Sequence, residues 1–299
     1  MRIIGPEAEA SLDWLALTDA LAAGHDLPPA RVEDVFLRSG EDTLLNRSAW
    51  IDGMGLAVKA ATVFPGNRAA GKAMVNGGVL VFSARDGALE AVVDFHLVTK
   101  WKTAGDSLLA ARRLARPDSR TVLIVGAGTV GASLHEAYGA AFPWAKFLVW
   151  NRTASAAEAF AAERAGVTAV TDLEEAVGRA DIVTCATMST DPVLRGDWLR
   201  PGQHVDLIGA YRADMREADD AALQRSRIFV DSRATTLGHI GELKTPLEAG
   251  VIADSDIVAD FSDLSAFRRD SAEEITLFKN GGGAHLDLMT ARYILEATA

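Results

Sequence analysis

The sequence predicts an α/β protein of two domains, on three observations. The chain has 299 residues, its second half alternates short apolar runs with helical stretches, and a glycine-rich turn joins one of those runs to a helix. At roughly 100–200 residues per domain, this length calls for two domains or one large α/β unit. Strands that alternate with helices argue for parallel βαβ units. The hydrophobic share of 49% is enough for cores of that size and excludes a disordered chain.

Apolar residues at helical spacing (Leu12, Leu15, Leu17, Leu21) predict a helix over 11–23, stopped by Gly24 and the Pro28-Pro29 pair. A β-rich stretch follows. Leu56–Phe64 and Gly78–Phe82 read as strands, and the Asp86-Gly87 turn leads into a third strand over Leu89–Asp94. A helix over 99–115, with Thr99 as its N-cap, ends at the linker Arg116-Pro117-Asp118-Ser119. Beyond it, Thr121–Val125, Lys146–Trp150, Ala180–Ala186 and His204–Ile208 are strands, with helices over 130–141, 153–165 and 172–178 between them. Ile228–Asp231 and Ile257–Ala259 continue the pattern less clearly, and Asp287–Thr298 is an amphipathic helix.

With 30 Lys+Arg against 41 Asp+Glu the net charge is −11, which excludes a nucleic-acid partner held through phosphates. The single cysteine, Cys185, cannot form an internal disulfide, and its apolar surroundings mark it as a buried structural thiol. The N-terminus lacks the apolar core of a signal peptide, and no run approaches the roughly 18 apolar residues that span a bilayer. The expectation is a cytoplasmic protein with no membrane partner. The six histidines show no metal-ligand spacing, so no metal site is expected.

The sharpest motif is Gly126-Ala127-Gly128-Thr129-Val130-Gly131, a G-x-G-x-x-G placed directly after a strand and before a helix. In that setting it predicts a Rossmann dinucleotide-binding domain. Gly126 permits the turn, Gly128 lets the backbone approach a pyrophosphate, and Gly131 lets helix and strand pack closely. An acidic residue at the end of the next strand ordinarily binds the ribose 2′-hydroxyl. Here that strand ends in Asn151-Arg152-Thr153, with no carboxylate. Arg152 can pair with a 2′-phosphate, with Asn151 and Thr153 as hydrogen-bond donors, so NADP(H) is expected over NAD(H), which stays the alternative. Thr187 and Met188, after a strand end, and Ala210 are further cofactor contacts expected from the doubly wound pattern.

The order of segments resembles the ornithine cyclodeaminase/μ-crystallin family. The matching pieces are Val58-Lys59, Phe64-Pro-Gly-Asn67, Asp94 with Thr99–Ala104, the glycine motif with Trp150–Thr153, Gly209–Glu217, Phe229–Ser232, Gly241-Glu242 and Phe278-Lys279. The resemblance implies an α+β substrate and dimerisation domain over 1–116 and 284–299, a Rossmann domain over 117–283, and a homodimer. It also implies a nicotinamide cofactor and a small substrate with an α-carboxylate beside an amine or imine.

Hydride transfer to such a substrate needs a cationic clamp for the carboxylate and a proton source for the nitrogen. Lys59 matches the family's active-site lysine and stands in an apolar strand, where an unpartnered charge is costly. Lys102 falls where many members carry a carboxylate-binding arginine, and as a first-turn cation it would conflict with the helix dipole unless an anion were bound there. Arg47 is a second clamp candidate. Tyr211 follows Gly209-Ala210 where the cyclodeaminases carry an acid/base aspartate. A tyrosine, with a pKa near 10, is no base for an ammonium substrate at neutral pH. The expectation is therefore an NADPH-dependent reductase of a cyclic ketimine carboxylate, Δ1-pyrroline-2-carboxylate or its six-membered homologue. The alternatives are an ornithine cyclodeaminase or alanine dehydrogenase-like enzyme, or a non-catalytic NADPH-binding protein of the μ-crystallin kind.

Overall fold

The structure, a computed structural model, describes residues 1–299. In chain order its first elements are β1 (Arg2–Ile4), α1 (Trp14–His25), β2 (Arg31–Ser39), β3 (Asp42–Ile51), β4 (Gly55–Val63), β5 (Val75–Phe82), β6 (Leu89–Asp94) and α2 (Phe95–Leu114). Then come β7 (Thr121–Val125), α3 (Thr129–Ala141), β8 (Lys146–Trp150), α4 (Ala154–Ala162), β9 (Val167–Ala169), α5 (Leu173–Arg179), β10 (Ile182–Cys185) and β11 (His204–Leu207). The chain ends with α6 (Asp220–Gln224), β12 (Ser226–Val230), α7 (Arg233–Thr236), α8 (Gly241–Glu248), β13 (Ile257–Ala259), β14 (Ile275–Lys279) and α9 (Ala284–Ala297). Two compact units result, one of Met1–Thr103 with Gly283–Ala299 and one of Ala104–Gly282. The division falls inside α2, whereas the sequence reading placed it at the Arg116 linker; both descriptions return the last helix to the first unit.

In the first unit six strands run in the order β1-β6-β5-β4-β3-β2. Strands β2 to β6 form an antiparallel meander, and β1 joins β6 in parallel. Strand alternation turns Ala49, Ile51, Ala57, Ala61, Val79, Val81, Ala91 and Val93 to one face, where all are buried. Helix α9 packs on that face against β3, β4 and β5, and α1 packs on α9. Asp13 caps α1 by accepting a hydrogen bond from the Ala16 amide at 2.8 Å.

Two sequence expectations need correction here. The hairpin of β2 and β3 escaped the pattern reading because β2 carries its apolar residues without alternation and is exposed along its whole length. Its two-residue turn, Gly40-Glu41, has Gly40 at φ 59°. Thr99 is also not a helix cap. Asp94 is the better capping residue; its carboxylate accepts from the Leu97 amide at 2.7 Å, so α2 starts at Phe95 and Thr99 lies inside it.

In the second unit eight strands run in the order β13-β12-β14-β11-β10-β7-β8-β9, and all the pairings are parallel. The order reverses between β7 and β10, the switch point of a Rossmann sheet. Strands of this sheet are apolar on both faces, so Val122–Val125, Val183 and Leu207 are fully buried, and Cys185 is a buried free thiol among them. Strands β9 and β14 and helices α6, α7 and α8 were not anticipated. β9, α6 and α7 span only 3, 5 and 4 residues, too few to show a period.

Candidate active site

A row of charges crosses the first unit's sheet. Antiparallel register sets Asp34 opposite Arg47, and Arg47 opposite Lys59. Two cations directly opposite each other repel, and both are neutralised from outside the pair. Nε and Nη2 of Arg47 donate to the Asp34 carboxylate at 3.1 and 2.8 Å. Nζ of Lys59 donates to Oδ1 of Asp287 at 2.9 Å and to the Thr99 hydroxyl at 2.9 Å. It also lies 4.6 Å from the centre of the Phe95 ring, a cation–π distance.

Alternation along β4 explains why this lysine is inside, because Lys59 occupies the same face as Ala57 and Ala61. Only 6% of Lys59 and 1% of Asp287 are exposed. Asp287 lies in the first turn of α9, where a carboxylate complements the helix dipole. Its Oδ2 is buried with no hydrogen-bond partner. Burial pushes the Lys59 ammonium below its usual pKa, and the Lys102 and Arg47 charges push the same way; Asp287 opposes them.

Lys102 is buried, and its charge acts on both Lys59 and His285. No hydrogen bond or ion pair engages its ammonium, unlike those of Lys59 and Arg47. Its place in the third turn of α2 removes the first-turn dipole conflict expected from the sequence. Burial and the neighbouring His25 and Lys102 hold His285 down at about 3, so this imidazole is neutral at pH 7. Arg47 is thus paired with Asp34 and Lys59 with Asp287, while no ion pair engages Lys102, which the buried Asp106 follows by one turn of α2.

The glycine motif of the second unit forms the turn from β7 to α3. Gly126 has φ 121°, and a Cβ there would meet the Ala186 carbonyl oxygen at 2.7 Å. A Cβ on Gly131 would lie 2.2 Å from the Gly126 oxygen, so helix and strand meet only through glycine. A Cβ on Gly128 would meet nothing within 4 Å. Gly128 is the N-cap of α3, whose first amides, those of Thr129, Val130 and Gly131, have no partner within the helix, a cradle suited to a pyrophosphate. The residues present therefore fit a dinucleotide.

Asn151 has a different task from the one expected. Its Oδ1 accepts from the Ala127 amide at 3.2 Å and its Nδ2 donates to the Thr153 carbonyl at 3.1 Å, so it braces the glycine turn. Arg152 and Thr153 are exposed beside it. Ala210 is buried and offers only backbone, Met188 is exposed, and Tyr211 is 58% exposed beside the Arg212 guanidinium. Of the two aspartates close to Tyr211 in sequence, Asp206 and Asp214, the first is buried and accepts hydrogen bonds from Ser107, Tyr138 and Thr184. Asp214 is ion-paired to Arg212.

Sequence reasoning missed Asp34, Asp287 and Glu217. Asp287 carried a signal, being the one acid among the buried residues of α9. Asp34 could be found only from the register of β2 on β3.

A family model described as the ornithine cyclodeaminase/mu-crystallin family matches residues 48–299. A Delta(1)-pyrroline-2-carboxylate reductase of Paracoccus denitrificans is 53% identical over 301 residues, covering 98% of this chain and 95% of that protein. The solved structure of Thermococcus litoralis Delta(1)-pyrroline-2-carboxylate reductase with NADH and L-proline superposes with a TM-score of 0.90 at 26% identity, covering 99% of this chain and 97% of that one. An archaeal alanine dehydrogenase dimer with bound NAD gives 0.88 at 27% identity, with coverages of 99% and 95%.

The buried pair supports a stability test. Lys59→Met and Asp287→Leu each strand one charge and should cost about 3–5 kcal/mol in denaturant unfolding. The double variant should recover most of that loss. Single losses that simply add would show that the two groups are not coupled.

Proposed function

The chain belongs to the ornithine cyclodeaminase/mu-crystallin family, and we propose that it is an NADPH-dependent reductase of a small cyclic ketimine carboxylate. The substrate is Δ1-pyrroline-2-carboxylate or Δ1-piperideine-2-carboxylate, and the product is the cyclic L-amino acid. The observation that carries this reading is Lys102, a buried lysine without an ion pair close to the Lys59–Asp287 pair, to which a substrate carboxylate can bind. The Paracoccus and Thermococcus relatives, by their names and by the proline bound in the latter, support the same substrate class.

Lys102 binds the carboxylate as a point charge, and Arg47, its Nε and Nη2 held by Asp34, presents Nη1 to it. Lys59 delivers the proton to the imine nitrogen, which makes the adjacent carbon electrophilic. Asp287 and Thr99 fix the direction of its Nζ. The nicotinamide, when bound, supplies the hydride to that carbon.

This division of labour favours reduction over deamination. Loss of ammonia from ornithine needs a carboxylate base, and both candidates are committed elsewhere: Asp206 to a buried network and Asp214 to Arg212. Arg152, exposed and free of ion pairs beside the glycine turn, supports NADPH as the preferred donor, by pairing with the 2′-phosphate.

The protein works as a homodimer. Strand β2 leaves a nine-residue edge with Val32, Val35, Phe36 and Leu37 exposed, and Trp50 is exposed next to it. A groove of about 460 Å³ lined by Val32, Trp50, Leu56, Val58 and Phe82 opens on the same sheet. An open apolar edge of this length is covered in a stable protein, and the archaeal relative is described as a dimer.

Three measurements check these points. Purified protein should oxidise NADPH with either ketimine and release little or no ammonia from ornithine; proline formation from ornithine at a comparable rate would overturn the reductase reading. Arg152→Ala should raise the KM for NADPH about tenfold or more, the value of one charged phosphate contact, and leave that for NADH unchanged. Light scattering should give twice the 31.7 kDa chain mass, with Phe36→Asp shifting it to monomer; a wild-type monomer would exclude the interface.

A further inference from the structure

We propose that Glu217 is the positioning residue of the nicotinamide half-site, its buried carboxylate tying the loop after β10 to the loop after β11. The inference rests on the reading that the second unit binds a nicotinamide dinucleotide.

Strand order places the half-site. The pyrophosphate turn follows β7, and β8, whose end carries Arg152, lies on one side of β7 and takes the adenosine half. The nicotinamide half must then extend over the ends of β10 and β11, on the other side of the switch point. Those ends lead into Thr187 and into Gly209-Ala210.

One side chain joins them. Oε1 of Glu217 accepts from the Thr187 amide at 2.6 Å and from the Thr187 hydroxyl at 2.7 Å, and Oε2 accepts from the Gly209 amide at 2.6 Å. The loops are in direct contact, since a Cβ on Gly209 would fall 1.8 Å from the Thr187 oxygen and 2.5 Å from Oε1. Glu217 is itself fastened. Its amide donates to Glu242 at 2.7 Å, and its carbonyl accepts from the Val193 and Leu194 amides at 2.9 Å. At the ends of β11 and β14, Nζ of Lys279 donates to the Leu207 and Asn280 carbonyls at 2.9 and 2.6 Å.

Complete burial of this carboxylate is costly. Desolvation and the Glu242 charge push it up to about 8, against the pull of Lys279 and the Thr187 donors. Apolar packing would give stability alone at lower cost. A carboxylate is kept because it can serve three donors on two loops at once, which sets the separation of the two backbones that flank the nicotinamide.

Glu217→Gln separates this role from a merely structural one. In either amide orientation one backbone N–H faces the amide NH2, so one loop is released while size is kept. The experiment compares binding of NADPH or NADH, whichever the wild type holds more tightly, with binding of the matching adenosine fragment, 2′,5′-ADP or 5′-ADP. The variant should bind the dinucleotide about tenfold more weakly, the equivalent of one buried hydrogen bond, and the fragment within about twofold of wild type. Gly209→Ala, which drives a Cβ into the same junction, should give the same split and serves if Glu217→Gln fails to fold. Equal losses for both ligands, or no loss for either, would overturn the inference. A wild type that binds no dinucleotide overturns the underlying reading and this one with it.

Discussion

Placing one lysine on the inner face of an otherwise apolar sheet row constrains most of the first unit. Lys59 cannot be buried among Ala57, Ala61, Val79 and Val81 without a counter-charge, and the carboxylate that meets it comes from the far end of the chain. Helix α9 therefore has to return to a sheet formed more than two hundred residues earlier, as the sequence separation of the pair requires. The same lysine draws in Thr99 from α2 and the Phe95 ring, so β4, α2 and α9 are held in register by one ammonium. Such a pair is poor economy for stability alone, because well-packed apolar residues would serve as well. Its persistence is understandable if a charge is needed at that place.

Charge accounting extends the point to recognition. The chain carries −11 overall, yet at this site Arg47 and Lys59 have acidic partners of their own and Lys102 has no ion pair. A neutral His285 beside it adds no further charge. On the proposed reading the carboxylate of a monoanionic substrate meets Lys102. In the second unit the glycine turn and the α3 amides form a cradle that suits an anion without side-chain cations, and Arg152 is exposed beside it.

Much of this could be read in the sequence. The motif Gly126–Gly131 revealed the Rossmann unit because its requirements are local: a strand, a positive φ and a helix start within a dozen residues. Lys59 was legible as a charge interrupting an apolar run. Asp34 and Asp287 were not, because their roles depend on strand register and on a long-range return that no local period encodes. Thr99 was misread since Asp94, five residues earlier, competes for the same helix and wins by capping it. Asn151 looked like a ligand donor and is a brace, a distinction visible only when the Ala127 amide is seen to point at it.

The claim that Arg47 and Lys102 converge on one substrate carboxylate admits a direct measurement. Binding of pyrrole-2-carboxylate, a planar ketimine mimic, to the NADPH-loaded protein can be followed through a double-variant cycle of Arg47→Met and Lys102→Met. Convergence predicts that each single change weakens binding and that the double change weakens it by clearly less than the sum. Strictly additive losses, or a single change without effect, would contradict it.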